Sequence, residues 1–543
     1  MPAQDDSRYL RSWQRYESAI ALGLSGALVW LAQFHHFRDF GLYEDDYWFI
    51  SEAMGKDASY LASRFQTAFT TLPQGRPLGF FLPDLLSFIG DKLGGLAGIY
   101  LLGFLIVTLN TFLCYRLLRT RVPLAPAAVG AAVFCLFPAD TTKILLTHDF
   151  QLQPSLTFAL LAALAYMGNR KPLAYVVSAG ALLAYESGFL ALVALPLFAR
   201  PWDRRRTPRE LARHVLILAA IVVAIVVLRY LVGERRAVGS AGSVADIVAP
   251  LLGSLVLGPL RSLAGMFYGP LKSAPTWDFE TVAAAAIALI GFGLLLGRTT
   301  QPRPKREAFE VAGAGAVMLI AGYALAFTHY PPNAIVGRGT SVHLGATLGM
   351  AVLAAGTAWV LLSERKRIGT ALLAAYFALL VGYYVTIERD FIHSWQLQRA
   401  FWQQVDACCS DLQDGTVLIY TLNPAEEPTF IFTNSWADPL VLSETFTFPT
   451  SWSTPPRLFG LTEWQSRVEV EGDHLRWWVP GASWDEHWEV FPQRNVILLT
   501  RSSDGTLTRQ TGSVEVAGKV LELKAQDQPV SWPAAQLYDP LLK

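Results

Sequence analysis

The chain has few charged residues and very little cysteine for its length. Charged residues make up only 16% of its 543 positions, and 44 acidic residues balance 44 basic ones to a formal net charge of zero. Nucleic-acid binding depends on an excess of positive charge, so no nucleic-acid partner is expected. Of the four cysteines, Cys114 and Cys135 lie in apolar runs and Cys408 and Cys409 are neighbours, which excludes a disulfide framework.

Long hydrophobic runs are what the sequence has in abundance. Hydrophobic residues account for 52% of the chain, and the mean hydropathy is +0.33. The predicted fold class is therefore an all-α polytopic membrane protein with about 11 transmembrane helices. Arg8, Arg11 and Arg15 precede the first apolar run, 18–37, which has no cleavage site. This pattern predicts a retained signal-anchor and a cytoplasmic N-terminus.

The positions of basic residues indicate which ends of the predicted spans are cytoplasmic. Both flanks of 172–201 are basic, so this apolar run must turn back near Tyr185-Glu186-Ser187-Gly188. The short run 81–89 is predicted to lie on the outer surface, and 233–279 to form an external loop with an amphipathic stretch near 247–267. The predicted spans are 18–37, 96–118, 124–138, 152–167, the two halves of 172–201, 214–232, 280–297, 308–328, 341–362 and 368–386.

The last quarter of the chain has a different pattern. An amphipathic helix is predicted over 391–408, followed by short runs with strand character that turn signals separate. The domain prediction is a transmembrane catalytic domain over 1–387 and a small external domain, β-rich or α/β, over 388–543. The predicted strands are 416–421, 467–471, 475–479, 495–500 and 513–523, with a hairpin turn at Ser503-Asp504-Gly505.

Three adjacent acids follow the first span, in the stretch Gly41-Leu42-Tyr43-Glu44-Asp45-Asp46-Tyr47-Trp48. Three neighbouring carboxylates cannot lie in hydrocarbon, so they must lie at the membrane surface or in a wet cavity. A solvated loop is the ordinary interpretation of such a triplet. The aromatic neighbours and the placement directly after a span favour a functional site instead.

Other predicted external loops bring further polar residues to the same face of the membrane. A carboxylate can act as general base on a hydroxyl or bind a divalent metal, and arginine recognises phosphate with two hydrogen bonds. Near a membrane that phosphate belongs to a lipid. Ordinary alternatives remain open: a headgroup anchor for Arg338, a helix cap for Arg76, a backbone partner for Glu186 and a surface lysine for Lys143. The residues concerned are Arg76, Lys143, His148, Asp149, Glu186 and Arg338.

Four short motifs, and their order along the chain, resemble those of the GT-C superfamily of integral-membrane glycosyltransferases. This superfamily includes protein O-mannosyltransferases and the lipid A aminoarabinose transferase. The resemblance covers about 18–386. The motifs are an acidic motif in the first external loop, the start of a surface helix, a charged hairpin turn and a late external arginine: Glu44-Asp45-Asp46-Tyr47, Gly75-Arg76-Pro77-Leu78, Tyr185-Glu186-Ser187-Gly188 and Gly337-Arg338-Gly339-Thr340.

The resemblance implies roles for these residues. Asp45 or Asp46 would be the catalytic base, and Arg338, with Arg76, would bind the phosphate of a polyprenyl-phosphate sugar donor. His148 and Asp149 stand where some members have two acids, which leaves metal dependence open: no cofactor is firmly implied, and a divalent metal, Mg or Mn, is the candidate. Glu44, His148, Asp149 and Glu186 would support acid–base chemistry or acceptor binding.

The resulting hypothesis is an inverting glycosyltransferase at the outer face of a prokaryotic plasma membrane, with its C-terminal domain external or periplasmic. Its partners would be the lipid-linked donor, membrane lipids and a glycan, lipid or protein acceptor. One alternative is a lipid-linked glycan transporter or flippase, although no internal repeat supports it. Another is a non-enzymatic envelope assembly protein that uses its C-terminal domain for interactions.

Overall fold

The computed structural model describes residues 5–232, 244–299, 306–324, 332, 337–421, 438–461, 468–479, 487–502, 505–516, 519–523 and 525. The chain divides into two compact units. The helical unit comprises Met1–Arg38 and Ala62–Arg389, and the mixed unit comprises Asp39–Leu61 and Asp390–Lys543.

Most of the described chain is α-helical. Two 3-10 helices, Glu186–Ala194 and Arg338–Ala346, carry predicted site residues. The α-helices are α1 (Asp5–Val29), α2 (Asp46–Phe49), α3 (Ala58–Thr71), α4 (Pro77–Leu118), α5 (Leu124–Cys135), α6 (Leu146–Met167), α7 (Lys171–Ala184), α8 (Leu195–Ala199), α9 (Arg206–Leu231), α10 (Val244–Ser273), α11 (Phe279–Arg298), α12 (Arg306–Ala321), α13 (Thr347–Glu364), α14 (Lys366–Cys408) and α15 (Asp438–Thr445).

Eight helices among the described residues are long and apolar enough to cross a membrane, by length and composition. Helix α9 leaves large apolar side chains such as Leu216 and Leu231 more than two-thirds exposed, an exposed apolar surface that lipid would cover. The predicted fold class, a mainly helical polytopic membrane protein with a small C-terminal β region, is confirmed. The eight segments are Tyr16–Phe34, Pro77–Leu118, Leu146–Met167, Arg206–Leu231, Val248–Thr276, Phe279–Arg298, Arg338–Glu364 and Lys366–Cys408.

Several predicted spans are shorter than a bilayer is thick. Helices α5, α7 and α12 have 12, 14 and 16 residues. At 1.5 Å per residue they reach about 18 to 24 Å, less than the ~30 Å of a hydrocarbon core. The helix breaks at the predicted position in 172–201, because α7 ends at Ala184, Tyr185 is extended (φ −165°, ψ 135°) and a 3-10 helix begins at Glu186. The described helices therefore differ from the predicted count of about eleven.

Other helices are longer than predicted. The expected surface helix 81–89 and the second span both belong to α4, which is interrupted at Gly94 and Gly95. Gly95 has φ 63° and ψ −143°, a conformation open to glycine because it has no Cβ. Instead of an external loop, 244–273 forms the single helix α10, and the predicted helix 391–408 continues the last span within α14.

Glycines allow α12 and α13 to pack at backbone contact. A Cβ on Gly315 would lie 2.2 Å from the Leu353 backbone nitrogen, and one on Gly349 would lie 2.1 Å from that of Leu319. Small residues let helices approach closely where lipid removes the hydrophobic driving force. The core around this contact also includes Met318, Val352 and Trp359.

The described residues of the mixed unit form three small sheets. The largest has the order β2-β1-β6-β7, in which β1 is parallel to β2 and β6, while β6 and β7 form an antiparallel hairpin. Helix α15 lies between β1 and β2 in sequence, as a parallel crossover requires. The strands are β1 (Val417–Thr421), β2 (Arg457–Leu461), β3 (Val468–Glu471), β4 (His474–Val479), β5 (His487–Pro492), β6 (Val496–Arg501), β7 (Leu507–Gln510), β8 (Gly512–Val516) and β9 (Lys519–Leu523).

The predicted strands are confirmed, with one difference: 513–523 forms two strands, β8 and β9, that pair as a hairpin. The predicted turn between β6 and β7 joins two antiparallel strands, although Ser503 and Asp504 lie outside the described residues. Core side chains of this unit include Ile419, Trp477 and Leu498.

Candidate functional site

The acidic motif lies in the mixed unit and is buried there. Glu44, Asp45 and Asp46 are 6%, 4% and 0% exposed, so the interpretation as a solvated loop is wrong. Glu44 has φ 49°, a left-handed conformation that is uncommon outside glycine, and the short helix α2 begins at Asp46. Burying carboxylates costs free energy unless hydrogen bonds or opposite charges compensate. Carboxylates buried in this way are typical of functional sites.

Two tyrosines fix the acidic motif within the mixed unit. The Tyr43 hydroxyl donates to the Phe391 carbonyl (2.9 Å), and the Tyr47 hydroxyl donates to Gln398 Oε1 (2.6 Å). Burial raises the pKa of Tyr43 well above its usual value, which keeps this donor protonated. Both partners lie on α14, about 350 residues further along the chain, so the position of the acids depends on a distant helix.

The two candidate bases differ in their contacts. The Tyr43 backbone N–H donates to Asp46 Oδ2 at 3.3 Å, so Asp46 helps to close the loop on itself. Asp45 precedes α2 and accepts backbone N–H bonds through its carbonyl, not through a side-chain cap. Nearby, a Cβ on Gly41 would lie 1.8 Å from a ring carbon of Trp395, so glycine is required for this close approach.

In the helical unit, Arg76 and Glu186 form a two-pronged ion pair. Arg76 Nε and Nη2 donate to Glu186 Oε2 and Oε1, each at 2.6 Å, and the guanidinium carbon lies 3.9 Å from the centre of the Tyr185 ring. Burial alone would raise the pKa of Glu186, but the charge and hydrogen bonds of Arg76 outweigh it and lower the pKa to about 2. The structure thus joins two predicted site residues directly.

The turn that carries this glutamate is fixed to two other segments of the helical unit. Ser155 Oγ on α6 donates to the Tyr185 carbonyl at 2.7 Å. A Cβ on Gly345 would lie 2.4 Å from the Ser187 carbonyl oxygen, so the turn touches the 3-10 helix Arg338–Ala346 at backbone contact. The segments that carry Glu186 and Arg338 are therefore neighbours.

The segment containing Arg338 is also joined to the loop after α5. The Thr141 backbone N–H donates to Thr340 Oγ1 at 3.1 Å, and Thr340 Oγ1 donates in turn to the Gly337 carbonyl at 2.7 Å. Gly337 has φ 81°, which positions Arg338 as the first residue of its 3-10 helix. This arrangement holds the start of that helix in place.

His148 and Asp149 lie in the first turn of α6, and both are buried. A Cβ on Gly103 of α4 would lie 2.6 Å from Asp149 Oδ2, so this glycine makes room for the carboxylate. The structure therefore places these two residues on a helix that is bonded to the Tyr185 turn. Their predicted supporting roles remain predictions.

Lys143, expected at the surface, is buried instead. Its ammonium donates to the Phe134 and Cys135 carbonyls and lies 3.3 Å from the Tyr384 hydroxyl, which in turn lies 2.8 Å from the Asp140 carbonyl. Sequence reasoning missed this network because Tyr384 is 241 residues away. The available signal was a lysine three residues after Asp140 in a short link between two apolar runs.

Comparison with protein-family models finds no match, and comparison with curated proteins finds none. Among solved structures, the chain is similar to ArnT from Cupriavidus metallidurans in the apo state. The two are 16% identical, the alignment covers 76% of this chain and 82% of that one, and the TM-score is 0.27. A likeness of this size carries no argument about fold or activity, so the function of this chain has to be argued from its own residues.

Proposed function

We propose that this protein is an inverting glycosyltransferase that moves a sugar from a polyprenyl-phosphate donor to an acceptor at the outer face of a prokaryotic plasma membrane. In this proposal the N-terminus is cytoplasmic and the C-terminal domain is external. The acceptor is a glycan, a lipid or a protein, and membrane lipids surround the helical unit.

The observation that carries the proposal is the burial of Glu44, Asp45 and Asp46, which follow the first membrane-length helix in sequence. A loop that needed only to be soluble would expose these carboxylates. A buried carboxylate that follows a span along the chain suits a general base that acts on a substrate delivered from the membrane.

In the proposed step we take Asp45 as the base, with Asp46 as the alternative, the two residues to which the GT-C resemblance assigns that role. A hydroxyl of the acceptor gives its proton to the Asp45 carboxylate while its oxygen attacks the anomeric carbon. The bond from that carbon to the phosphate oxygen breaks, and its electron pair leaves with the polyprenyl phosphate. Attack from the opposite face inverts the configuration at the anomeric carbon.

We assign the departing phosphate to Arg338. A guanidinium can bind two phosphate oxygens at once and stabilise the charge that develops on them. Arg76 forms a two-pronged pair with Glu186, and we assign it a positioning role. The pair instead keeps in place the turn on which the Arg338 helix rests. His148 and Asp149 are assigned to supporting the acceptor.

A divalent metal fits the chemistry of the acidic motif. Mg²⁺ and Mn²⁺ prefer oxygen ligands, and Glu44 and Asp46 offer carboxylates on either side of the base. Such an ion would supply positive charge for binding phosphate. Proton transfer to Asp45 does not require it.

The test is turnover by the purified full chain in nanodiscs with a panel of polyprenyl-phosphate sugars. Wild type is compared with Asp45→Asn, Asp46→Asn and Arg338→Ala, with Asp57→Asn as matched control, since Asp57 is an exposed acid of the same unit. We expect transfer or donor hydrolysis by wild type and the control. Loss of a general base should reduce turnover by about 10²- to 10⁴-fold in Asp45→Asn.

Arg338→Ala should weaken donor binding while leaving the fold intact. Two results would overturn the proposal: wild type binds none of the donors, or both aspartate variants turn over as wild type does. Movement of a lipid-linked glycan across the bilayer without bond cleavage would favour the transporter alternative.

A further inference from the structure

Two adjacent histidines and two glutamates from distant parts of the helical unit meet outside the residues discussed so far. His35 and His36 follow the first span, Glu280 lies in the first turn of α11, and Glu388 lies within α14. His35, His36 and Glu280 form a group whose ligand atoms all lie within 4.8 Å of one another.

The distances match those between the ligands of one metal ion. Glu280 Oε1 lies 3.1 Å from His35 Nε2 and 3.2 Å from His36 Nε2. Ligand atoms about 2.0 to 2.1 Å from a tetrahedral Zn²⁺ are about 3.3 Å apart. The two distances from the Glu280 oxygen to the imidazole nitrogens therefore match the spacing in a coordination shell, and all three ligand atoms lie within 4.8 Å of one another.

The buried carboxylate of Glu388 contacts both histidines through atoms other than their Nε2 nitrogens. Its Oε2 lies 2.5 Å from His35 Nδ1, and its Oε1 accepts the His36 backbone N–H at 2.9 Å. Metal-binding histidines commonly offer their second ring nitrogen to a carboxylate, which fixes the tautomer that binds metal. Glu388 is fully buried, and its placement leaves the two Nε2 atoms facing Glu280.

The arrangement of the two rings is compatible with a cation in this cluster. The rings lie side by side, with their centroids 3.9 Å apart. The contact between His35 Nδ1 and Glu388 Oε2 is short but poorly aligned as a hydrogen bond, and His36 Nδ1 is buried without a hydrogen-bond partner. A cation held by the two Nε2 atoms would balance the carboxylates of Glu280 and Glu388 on either side of the rings.

We propose that His35, His36 and Glu280 bind a zinc-class divalent cation, with Glu388 as the carboxylate that orients His35. Two imidazoles and one carboxylate form a ligand set that suits Zn²⁺ better than Mg²⁺ or Mn²⁺. Three protein ligands leave a fourth position for water or an oxygen of an incoming ligand. The ion would join the end of the first span to the start of α11.

The test is zinc binding by the purified full chain after stripping with a chelator, reloading and desalting. We expect stoichiometric zinc in wild type and loss of that zinc in the double variant His35→Ala/His36→Ala. Glu388→Gln should bind about 10- to 100-fold more weakly, the effect of losing an orienting carboxylate. His393→Ala is the matched control, because His393 is an exposed histidine on the same helix as Glu388.

X-ray absorption at the zinc edge of the wild type keeps the proposal testable even if the double variant fails to fold. Nitrogen and oxygen neighbours at about 2.0 Å, with the scattering pattern of imidazole, are expected. Sulfur neighbours at about 2.3 Å would place the zinc on the adjacent Cys408 and Cys409 and overturn the proposal. Failure of the wild type to retain zinc, or wild-type affinity in the double variant, would overturn it as well.

Discussion

The helical unit and the mixed unit each bury acidic side chains, and they do so in opposite ways. Glu186 in the helical unit is neutralised by a direct partner, the guanidinium of Arg76. The acidic motif in the mixed unit is positioned by hydrogen bonds from Tyr43 and Tyr47 to α14, about 350 residues away. The ion pair compensates the charge of Glu186. The tyrosine hydrogen bonds instead fix the position of the loop that carries the three acids.

This difference separates structural from chemical roles. A carboxylate whose pKa is about 2 is a weak base, so Glu186 is poorly suited to accept a proton at neutral pH. The pair with Arg76 can instead stabilise the hairpin turn. The candidates for proton transfer are then the acids of the mixed unit, and Asp45 is the one we assign.

The largest expected change in stability comes from breaking the ion pair. Arg76→Ala leaves the Glu186 carboxylate, which is 18% exposed, without its main partner, which should destabilise the protein by up to about 3 to 5 kcal/mol. Arg206→Ala is the control: Arg206 is 65% exposed in a surface pair with Glu210, and its removal should cost less than about 1 kcal/mol. Unfolding in detergent measures both.

The double variant Arg76→Ala/Glu186→Ala sharpens this test. If the pair is what stabilises the turn, the double variant should be less destabilised than the sum of the two single variants. Equal costs for Arg76→Ala and Arg206→Ala would contradict the role assigned to the pair.

A smaller loss of stability is expected when a hydrogen bond that attaches the acidic motif to α14 is removed. Tyr43→Phe removes the donor to the Phe391 carbonyl and should destabilise the mixed unit by about 1 to 3 kcal/mol. Tyr60→Phe is the control, because it removes a tyrosine hydroxyl of the same unit whose contact with Glu52 is long, at 3.4 Å. Hydrogen exchange of residues 41–50 measures the loosening of the loop, and unchanged protection in Tyr43→Phe would refute it.

The smallest expected effect is the change with pH in how much the Arg76–Glu186 pair contributes to stability. Because the pKa of Glu186 falls from 4.5 to about 2 on folding, its contribution to stability is complete above pH 4.5 and is lost as the pH falls toward 2. The stability difference between wild type and Glu186→Gln should therefore be constant from pH 7 to 5 and shrink by pH 3. Melting temperatures of both proteins across this range measure the difference. A difference as large at pH 3 as at pH 7 would contradict the lowered pKa of Glu186 in the folded protein.

Local patterns were enough to predict much of the fold. Basic flanks located the turn at Tyr185, because charge placement decides which ends of a span stay on one side. Short apolar runs separated by turn signals located β1 and β6, because such runs are typical of buried strands. The length of α14 was not predictable in this way, since its polar second half, 391–408, has the composition of a separate amphipathic helix.

The candidate site was predictable only in its residue types. The acids near Asp45 stood out because they follow a span, but their burial depends on Phe391 and Gln398, which no local pattern connects to them. For the same reason the burial of Lys143 was missed, and nothing in the residues around His35 points to Glu388.

The ion pair also has a consequence for how this protein is made. Arg76 leaves the ribosome 110 residues before Glu186. At about 5 to 20 residues per second, that interval is about 5 to 20 s. During this time the arginine is a lone cation beside a newly inserted helix, and it needs water or a lipid headgroup until the glutamate arrives. A charge that is fully matched in the finished protein is therefore an unmatched one for part of its synthesis, and the insertion machinery has to accommodate it.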